Sequence, residues 1–220
     1  MQVHPAPDLM IGLYQLFISS FITFFVVIDP IGVATIFLGM VGQQNIQNAN
    51  RLALRATLIG FTLMILFALV GKIFIQSLGI STEAFRIAGG LLLFLLSYRM
   101  VMGYHENDMA EASAASARGH RDLAVFPLAI PLLAGPGGMT VSILLMDKAA
   151  GNWENQAAIL AALLLVGLIS FTALCSARLM LRVIGQGGVD ILARVLGVIL
   201  AALSIQFITD GLNALVLQHG

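Results

Sequence analysis

Two short stretches of the chain combine helix breaking with groups able to hold ions or polar solutes. Asp29-Pro30-Ile31-Gly32 sets a carboxylate beside a proline inside the apolar run from Phe17 to Val41. Ala134-Gly135-Pro136-Gly137-Gly138 sets a proline among glycines inside a second apolar run, Leu123 to Met146. A carboxylate at bilayer depth costs ~2.5 kcal/mol or more, and proline removes a backbone donor, so neither break is neutral within a membrane. Transporters build midplane sites from such breaks, which turn peptide groups toward a cavity instead of lipid. A half-helix that starts at a proline presents free N–H groups and the positive end of its dipole, a ready anion site. Gly137, Gly138 and Met139 are placed to offer those groups to a carboxylate, and the glycines allow close approach. Thr140 and Ser142 add hydroxyls, Thr35 lies at the equivalent depth of the first break, and Asp29 is suited to an ammonium group or a coupling cation, H+ or Na+. The candidate substrate-binding set is Asp29, Pro30, Gly32, Thr35, Gly135, Pro136, Gly137, Gly138, Thr140 and Ser142.

Each member also has a plain structural reading. Asp29 directly before Pro30 is an ordinary N-cap with proline at the first helical position, a role that can coexist with ligand contact. Gly135, Gly137 and Gly138 are small residues of the kind that let membrane helices pack closely. Arg86 and Arg194, near the starts of apolar runs, read as snorkelling cations or as parts of a gate. His4, His105, His120 and His219 lack ligand spacing and Cys175 is the single cysteine, so neither a metal centre nor a disulfide framework is expected.

Composition sets the elements that must carry these breaks. Hydrophobic residues make up 59% of the chain, charged residues 10%, and mean hydropathy is +0.97, which places the chain in the bilayer. Eleven basic and eleven acidic residues cancel, leaving no basic surface for nucleic acid. No Lys or Arg precedes the first apolar stretch, so that stretch reads as a retained span and not a cleaved signal. With ~20 apolar residues needed to cross ~30 Å of hydrocarbon, six spans emerge. They run from between Leu9 and Tyr14 to about Met40, Leu52 to Ile75, Ala84 to Met102, Ala124 to Lys148, Gln156 to about Leu179, and Leu192 to Leu215. Polar Gly42 to Asn50 reads as a turn, Ser81 or Thr82 as an N-cap, Trp153 as an interfacial anchor, and Gly185 to Gly188 as a glycine-rich turn. The first span is too long for one straight crossing, and Pro127, Pro131 and Pro136 argue against a continuous helix in the fourth.

The spans fall into two similar halves. Pro30 and Pro136 stand 106 residues apart, and Arg86-Ile87-Ala88-Gly89 matches Arg194-Val195-Leu196-Gly197 at an offset of 108. Three crossings per unit make the repeat inverted. The expected fold is therefore an all-α membrane protein of six transmembrane segments, two inverted three-helix repeats (1–102 and 123–220) joined by a polar linker (103–122), with the first and fourth segments broken near the midplane. Arg51, Arg55, Arg99, Arg118, Arg121, Arg178, Arg182 and Arg194 lie on one side, against Lys72, Arg86 and Lys148 on the other. The positive-inside rule then makes the linker cytoplasmic and both termini external, or periplasmic.

These residues resemble a known family. Asp29-Pro30-Ile31-Gly32 with Ile36-Phe37-Leu38, Phe85-Arg86-Ile87-Ala88-Gly89-Gly90, Pro127-Leu128-Ala129-Ile130-Pro131-Leu132 with Ala134-Gly135-Pro136, and Gly187-Gly188-Val189 leading to Arg194 and Gly197 look like the MarC family of bacterial and archaeal inner-membrane proteins. The resemblance spans nearly the whole chain and implies six spans and, from some members, transport of small neutral amino acids such as glycine and alanine. Many members have Asn-x-Pro where this chain has Val33-Ala34-Thr35, and Ala-Ile is common at Gly138-Met139, so substrate preference is open to difference. Some members carry Asn at the position of Asp29, which suits a cap better than a proton carrier.

Other classes fit less well. An enzyme is not expected, because no His-Glu-x-x-His, Gly-x-Ser-x-Gly or pair of intramembrane carboxylates is present. A channel calls for polar lining along several helices, whereas here polar groups concentrate at two breaks. The expected partners are the lipid bilayer and a small neutral amino acid, with export of other small metabolites or drugs, or a non-transporting scaffold, as alternatives. Whether the chain forms a homo-oligomer stays open.

Overall fold

The computed structural model describes residues 6–41, 46–103, 124–149 and 151–219, which form seven α-helices and one π-helical stretch. The elements are α1 (Ala6–Ile28), α2 (Pro30–Val41), α3 (Ile46–Ser77), α4 (Thr82–Met102), the π-helical α5 (Ala124–Leu133), α6 (Pro136–Lys148), α7 (Trp153–Cys175) and α8 (Ala177–His219). The linker expected at 103–122 and the histidines His4, His105 and His120 lie outside the described residues from position 104 and before position 6.

Five helical stretches are long and apolar enough to cross a membrane among the described residues: Met10–Val41, Ile46–Ser77, Thr82–Met102, Trp153–Cys175 and Ala177–Leu217. The region expected to be a broken fourth span consists of two short helices, of 10 and 13 residues, meeting at Ala134 and Gly135. The second span is longer than its apolar run. Helix α3 already begins at Ile46 and takes in Gln47, Asn48 and Asn50, which hydropathy assigns to a turn. Polar side chains end a hydrophobic run without ending a helix, because a helix satisfies its own backbone in water and lipid alike.

The fifth span is likewise extended. Ser176 N–H donates to Thr172 O at 2.9 Å, and Met180 N–H to Ser176 O at 2.9 Å, so the helical path of α7 runs on into the start of α8. The chain turns at Gly185, whose φ of 72° only glycine adopts freely, as α3 ends in a turn at Gly79 with φ 73°. Ser81 caps α4, its hydroxyl accepting from Ala84 N–H at 3.2 Å, and Asn152 caps α7 by accepting from Glu154 N–H at 2.9 Å.

What the helices bury and expose fits lipid and not water. The inward stripe of α3 is Ala53, Ala56, Gly60, Met64, Ala68 and Gly71, while Leu54, Leu58, Leu66, Leu69 and Ile73 point outward. A continuous outer coat of such residues has hydrocarbon as its natural solvent. Helices α4 and α8 pack against one another along their lengths through glycines. A Cβ on Gly90 would come within 2.9 Å of Ser204 O, one on Gly197 within 3.2 Å of Ser97 O, and one on Gly211 within 3.0 Å of Glu83 O. At the far end of α4 the Arg194 guanidinium lies 3.6 Å from where a Cβ of Gly103 would stand. The pairing is antiparallel, early α4 against late α8 and late α4 against early α8.

Candidate functional site

The first break is one residue wide. Asp29 adopts φ 46°, the left-handed region, which costs most residues roughly 1–2 kcal/mol and which Asp tolerates better than bulkier side chains. Its N–H still donates to Phe25 O at 3.0 Å, closing α1, and its carbonyl accepts from Val33 N–H at 3.0 Å, opening α2. Its carboxylate turns back so that Oδ1 accepts from Gly32 N–H at 3.1 Å. Position 32 must be glycine for that reason, since a Cβ there would fall on the Asp29 carboxylate. Asp29 is 4% exposed. It therefore fills the N-cap role and supplies a negative group at the positive end of α2.

The second break repeats this bonding without the acid. At the offset of 106 residues, Asp29-Pro30-Ile31-Gly32 corresponds to Gly135-Pro136-Gly137-Gly138. Gly135 is the N-cap of α6 in extended conformation (φ −76°, ψ 169°), Pro136 is the first helical residue, and Met139 N–H donates to Gly135 O at 3.0 Å, as Val33 does to Asp29. Gly135 makes no side-chain cap bond. Proline has no N–H, and the amides of Gly137 and Gly138 precede the first intrahelical bond of α6. Before the break, Ala134 N–H reaches five residues back to Ala129 O at 2.8 Å, the wide π-type turn that ends α5.

Both breaks line one cavity of about 230 Å³. Val27, Ile28, Asp29 and Val33 come from the first, Gly135, Pro136, Gly137 and Gly138 from the second, and α4 contributes Leu96, Arg99 and Met100. One wall thus includes Asp29 and another an uncapped helix N-terminus, and Arg99 of α4 is among the lining residues. Of the residues singled out by sequence, Asp29, Gly135, Pro136, Gly137 and Gly138 meet here. The others stand elsewhere. Pro30 and Gly32 are buried in the first turn of α2, and Thr35 donates to Gly32 O at 2.6 Å within that helix. Thr140 is buried against Gly89 of α4, where its methyl group occupies the space a Cβ would need, and Ser142 donates to Gly138 O at 2.9 Å. The break glycines also pack, as a Cβ on Gly137 would meet Leu93 Cδ2 at 2.9 Å and one on Gly138 would meet Met64 Cε at 3.1 Å.

Arg99 is the charged lining residue that the candidate set read from sequence lacks. It is exposed on α4 beside the lining residues Leu96 and Met100, and its type marks it only as one of the cations of the basic side. Only its place between Leu96 and Met100 in the chain hints at the cavity, since Leu93 and Met100 mark the buried face and Arg99 lies at its edge. Arg86 also differs from a snorkelling cation. Its Nη2 lies 3.3 Å from Asp147 Oδ2, Lys72 Nζ lies 2.7 Å from Asp147 Oδ1, and the Arg86 side chain is only 17% exposed. This cluster ties α3, α4 and α6 together at the end away from Arg99, and Lys148 beside it stacks over the Phe207 ring at 5.6 Å.

Comparison with known proteins agrees with this architecture. The sequence pattern described as "MarC family integral membrane protein" matches residues 14–216. A UPF0056 membrane protein of Methanocaldococcus jannaschii is 34% identical, covering 92% of this chain and 98% of its own. One of Archaeoglobus fulgidus is 32% identical (91% and 94%), and the UPF0056 membrane protein YhcE of Escherichia coli is 28% identical (92% and 94%). Those names state a membrane protein and no reaction. No solved structure matches the chain. With the match running through both breaks and the helices around them, the chain belongs to the MarC family of integral membrane proteins.

Proposed function

We propose that the protein is a transporter of small neutral amino acids of the glycine and alanine class, held between the two helix breaks. One observation carries the reading. Two breaks with the same backbone bonding line one cavity, and only the first has a carboxylate at its helix N-terminus. A substrate carboxylate takes at α6 the position that Asp29 takes at α2, receiving the amides of Gly137 and Gly138 and the helix dipole. Its ammonium group faces Asp29, and Arg99 adds to the field that draws the carboxylate in. A cavity of about 230 Å³ favours a side chain of one carbon or none, being below the ~300–1,000 Å³ of pockets for drug-sized ligands.

The inverted repeat belongs to the same proposal, and the α4–α8 packing supports it. At an offset of 107 residues, one short of that between Arg86 and Arg194, the Gly90 contact with Ser204 and Ile208 has its image in the Gly197 contact with Ser97 and Val101. The Gly211 contact with Ile87 falls within one residue of the image of that of Gly103 with Arg194. Such reciprocal contacts are what a twofold axis in the membrane plane produces. Alternating access then consists of the two halves rocking about the fixed cavity, with the arginine-rich end in the cytoplasm of a cell with an inner membrane and H+ or Na+ as the coupling ion.

The test is uptake of labelled glycine and alanine into sealed proteoliposomes. Saturable uptake, competed by unlabelled alanine and lost when Gly138 carries bulk, is the expected result. Non-saturable flux would favour a channel, saturable movement of other metabolites or drugs alone an exporter of those, and no flux at all a scaffold.

A further inference from the structure

The cavity between the breaks is walled off toward one end of the molecule. Its lining residues Arg99 and Pro136 are exposed, and Arg99 stands on the arginine-rich side. In the opposite direction α6 fills the path. Thr140, Val141, Ile143 and Leu144 are each no more than 4% exposed. Thr140 occupies the space that a Cβ on Gly89 of α4 would need, and Ile143 does the same at Gly71 of α3. Beyond them, roughly 16 Å along α6 from Pro136, Asp147 holds Lys72 of α3 and Arg86 of α4. We propose that this ion cluster is the latch of a gate. It holds the C-terminal end of α6 against α3 and α4 while the cavity opens toward Arg99, and its release lets α6 part from them so that the cavity opens to the opposite side. The inference rests on reading the cavity as the transport site.

Placement and chemistry both argue for a latch. Helix α6 is 13 residues long, with its N-terminus in the cavity wall and Asp147 in its last turn, so one rigid element joins the site to the cluster. A carboxylate in a last turn is opposed by the dipole of its own helix. Asp147 is therefore placed for the two cations across from it, at 2.7 Å from Lys72 Nζ and 3.3 Å from Arg86 Nη2. The cluster is also incompletely satisfied. Arg86 Nε is buried and makes no hydrogen bond, which opposes the closed arrangement, and the Lys72 side chain is 48% exposed, so water competes for its pair. A contact held this way closes the path and still opens at small cost.

Single reporter cysteines in a Cys175→Ser chain read the two directions separately, since Cys175 is the one cysteine of the sequence. Thr140→Cys lies on the closed path and Leu96→Cys on the cavity wall beside Arg99. Each full-length protein is labelled with a polar maleimide in nanodiscs. Thr140→Cys should label about threefold faster when Lys72→Gln is added and about tenfold faster with Asp147→Asn, while Leu96→Cys labels no faster. Asp147→Glu keeps the charge and should stay within about twofold of the parent. Lys72→Gln reads the latch even where Asp147→Asn does not fold. Unchanged labelling of Thr140→Cys in every folded variant that lacks a member of the cluster overturns the latch. Faster labelling of both reporters also overturns it, because the cluster would then be a support whose loss loosens the whole bundle. Asp147→Glu as fast as Asp147→Asn does so too, by assigning the effect to packing. Reporters that shift as expected in a protein that takes up neither glycine nor alanine support the latch and reject that substrate class, whereas intact uptake with unshifted reporters rejects the latch alone.

Discussion

Asp29 is held by two separate local requirements, and a set of three substitutions separates them. The carboxylate caps α2 through the 3.1 Å bond from Gly32 N–H, and the backbone sits at φ 46°. Removing an N-cap in favour of alanine costs ~1 kcal/mol, and placing alanine in the left-handed region costs a further ~1–2 kcal/mol. Asp29→Ala should therefore lose about 2–3 kcal/mol, a fall in Tm of roughly 5–10 °C for a chain of this size. Asn caps about as well as Asp and accepts the same backbone, so Asp29→Asn should stay within about 0.5 kcal/mol of the parent. Glycine loses the side-chain bond but occupies positive φ freely, so Asp29→Gly should lose only a few tenths of a kcal/mol, close to Asp29→Asn and well above Asp29→Ala. Thermal unfolding of the purified proteins gives this order directly. Uptake in proteoliposomes then isolates the charge. If Asp29 faces the substrate ammonium, loss of a charge-assisted bond worth ~1.5–3 kcal/mol should reduce uptake by Asp29→Asn about 10- to 100-fold with the fold intact. Asn as unstable as Ala would refute the capping argument, and full uptake by a stable Asp29→Asn protein would refute the ammonium contact and leave Asp29 as a cap.

Other substitutions test the neighbouring parts. Gly138→Val should abolish uptake while shifting Tm by only about 2–4 °C, because the tight contact of the added Cβ is with the flexible end of Met64, at 3.1 Å, and the Leu133 carbonyl stands at an ordinary 3.7 Å; unchanged uptake would remove the α6 N-terminus from the site. Gly90→Val should cost roughly 1–3 kcal/mol by forcing α4 from the Ser204 carbonyl, and Gly197→Val should cost a similar amount if the halves are related by a twofold. Asp147→Asn should destabilise by on the order of 2 kcal/mol, between exposed and fully buried ion pairs, by leaving the largely buried Arg86 without its acid; Lys72→Gln should cost much less, since Lys72 is 48% exposed. A reporter fused after Gly220 should give an external signal and one inserted within 104–122 a cytoplasmic signal, and swapped signals would reverse the orientation.

By itself the sequence determined the solvent and the breaks. Mean hydropathy puts the helices in lipid, and Asp29-Pro30 and Gly135-Pro136 mark the interruptions, because hydration and proline sterics act locally and leave a local trace. The 106-residue spacing alone pairs the two breaks. Helix ends were less legible: α3 runs back to Ile46 through residues whose polarity resembles a turn, since helical bonding is indifferent to the surrounding solvent. Tertiary structure decided which residues meet. Only packing shows that Asp29 and Gly137 share a cavity while Thr140 and Ser142, equally plausible on spacing, are occupied with Gly89 and the Gly138 carbonyl. Only packing brings Arg99 to the breaks and Asp147 between Lys72 and Arg86. The reason is physical: which helix face turns inward, and which residues stand at one depth, depend on how glycines let α4, α6 and α8 approach, a property of pairs of helices and not of either one alone.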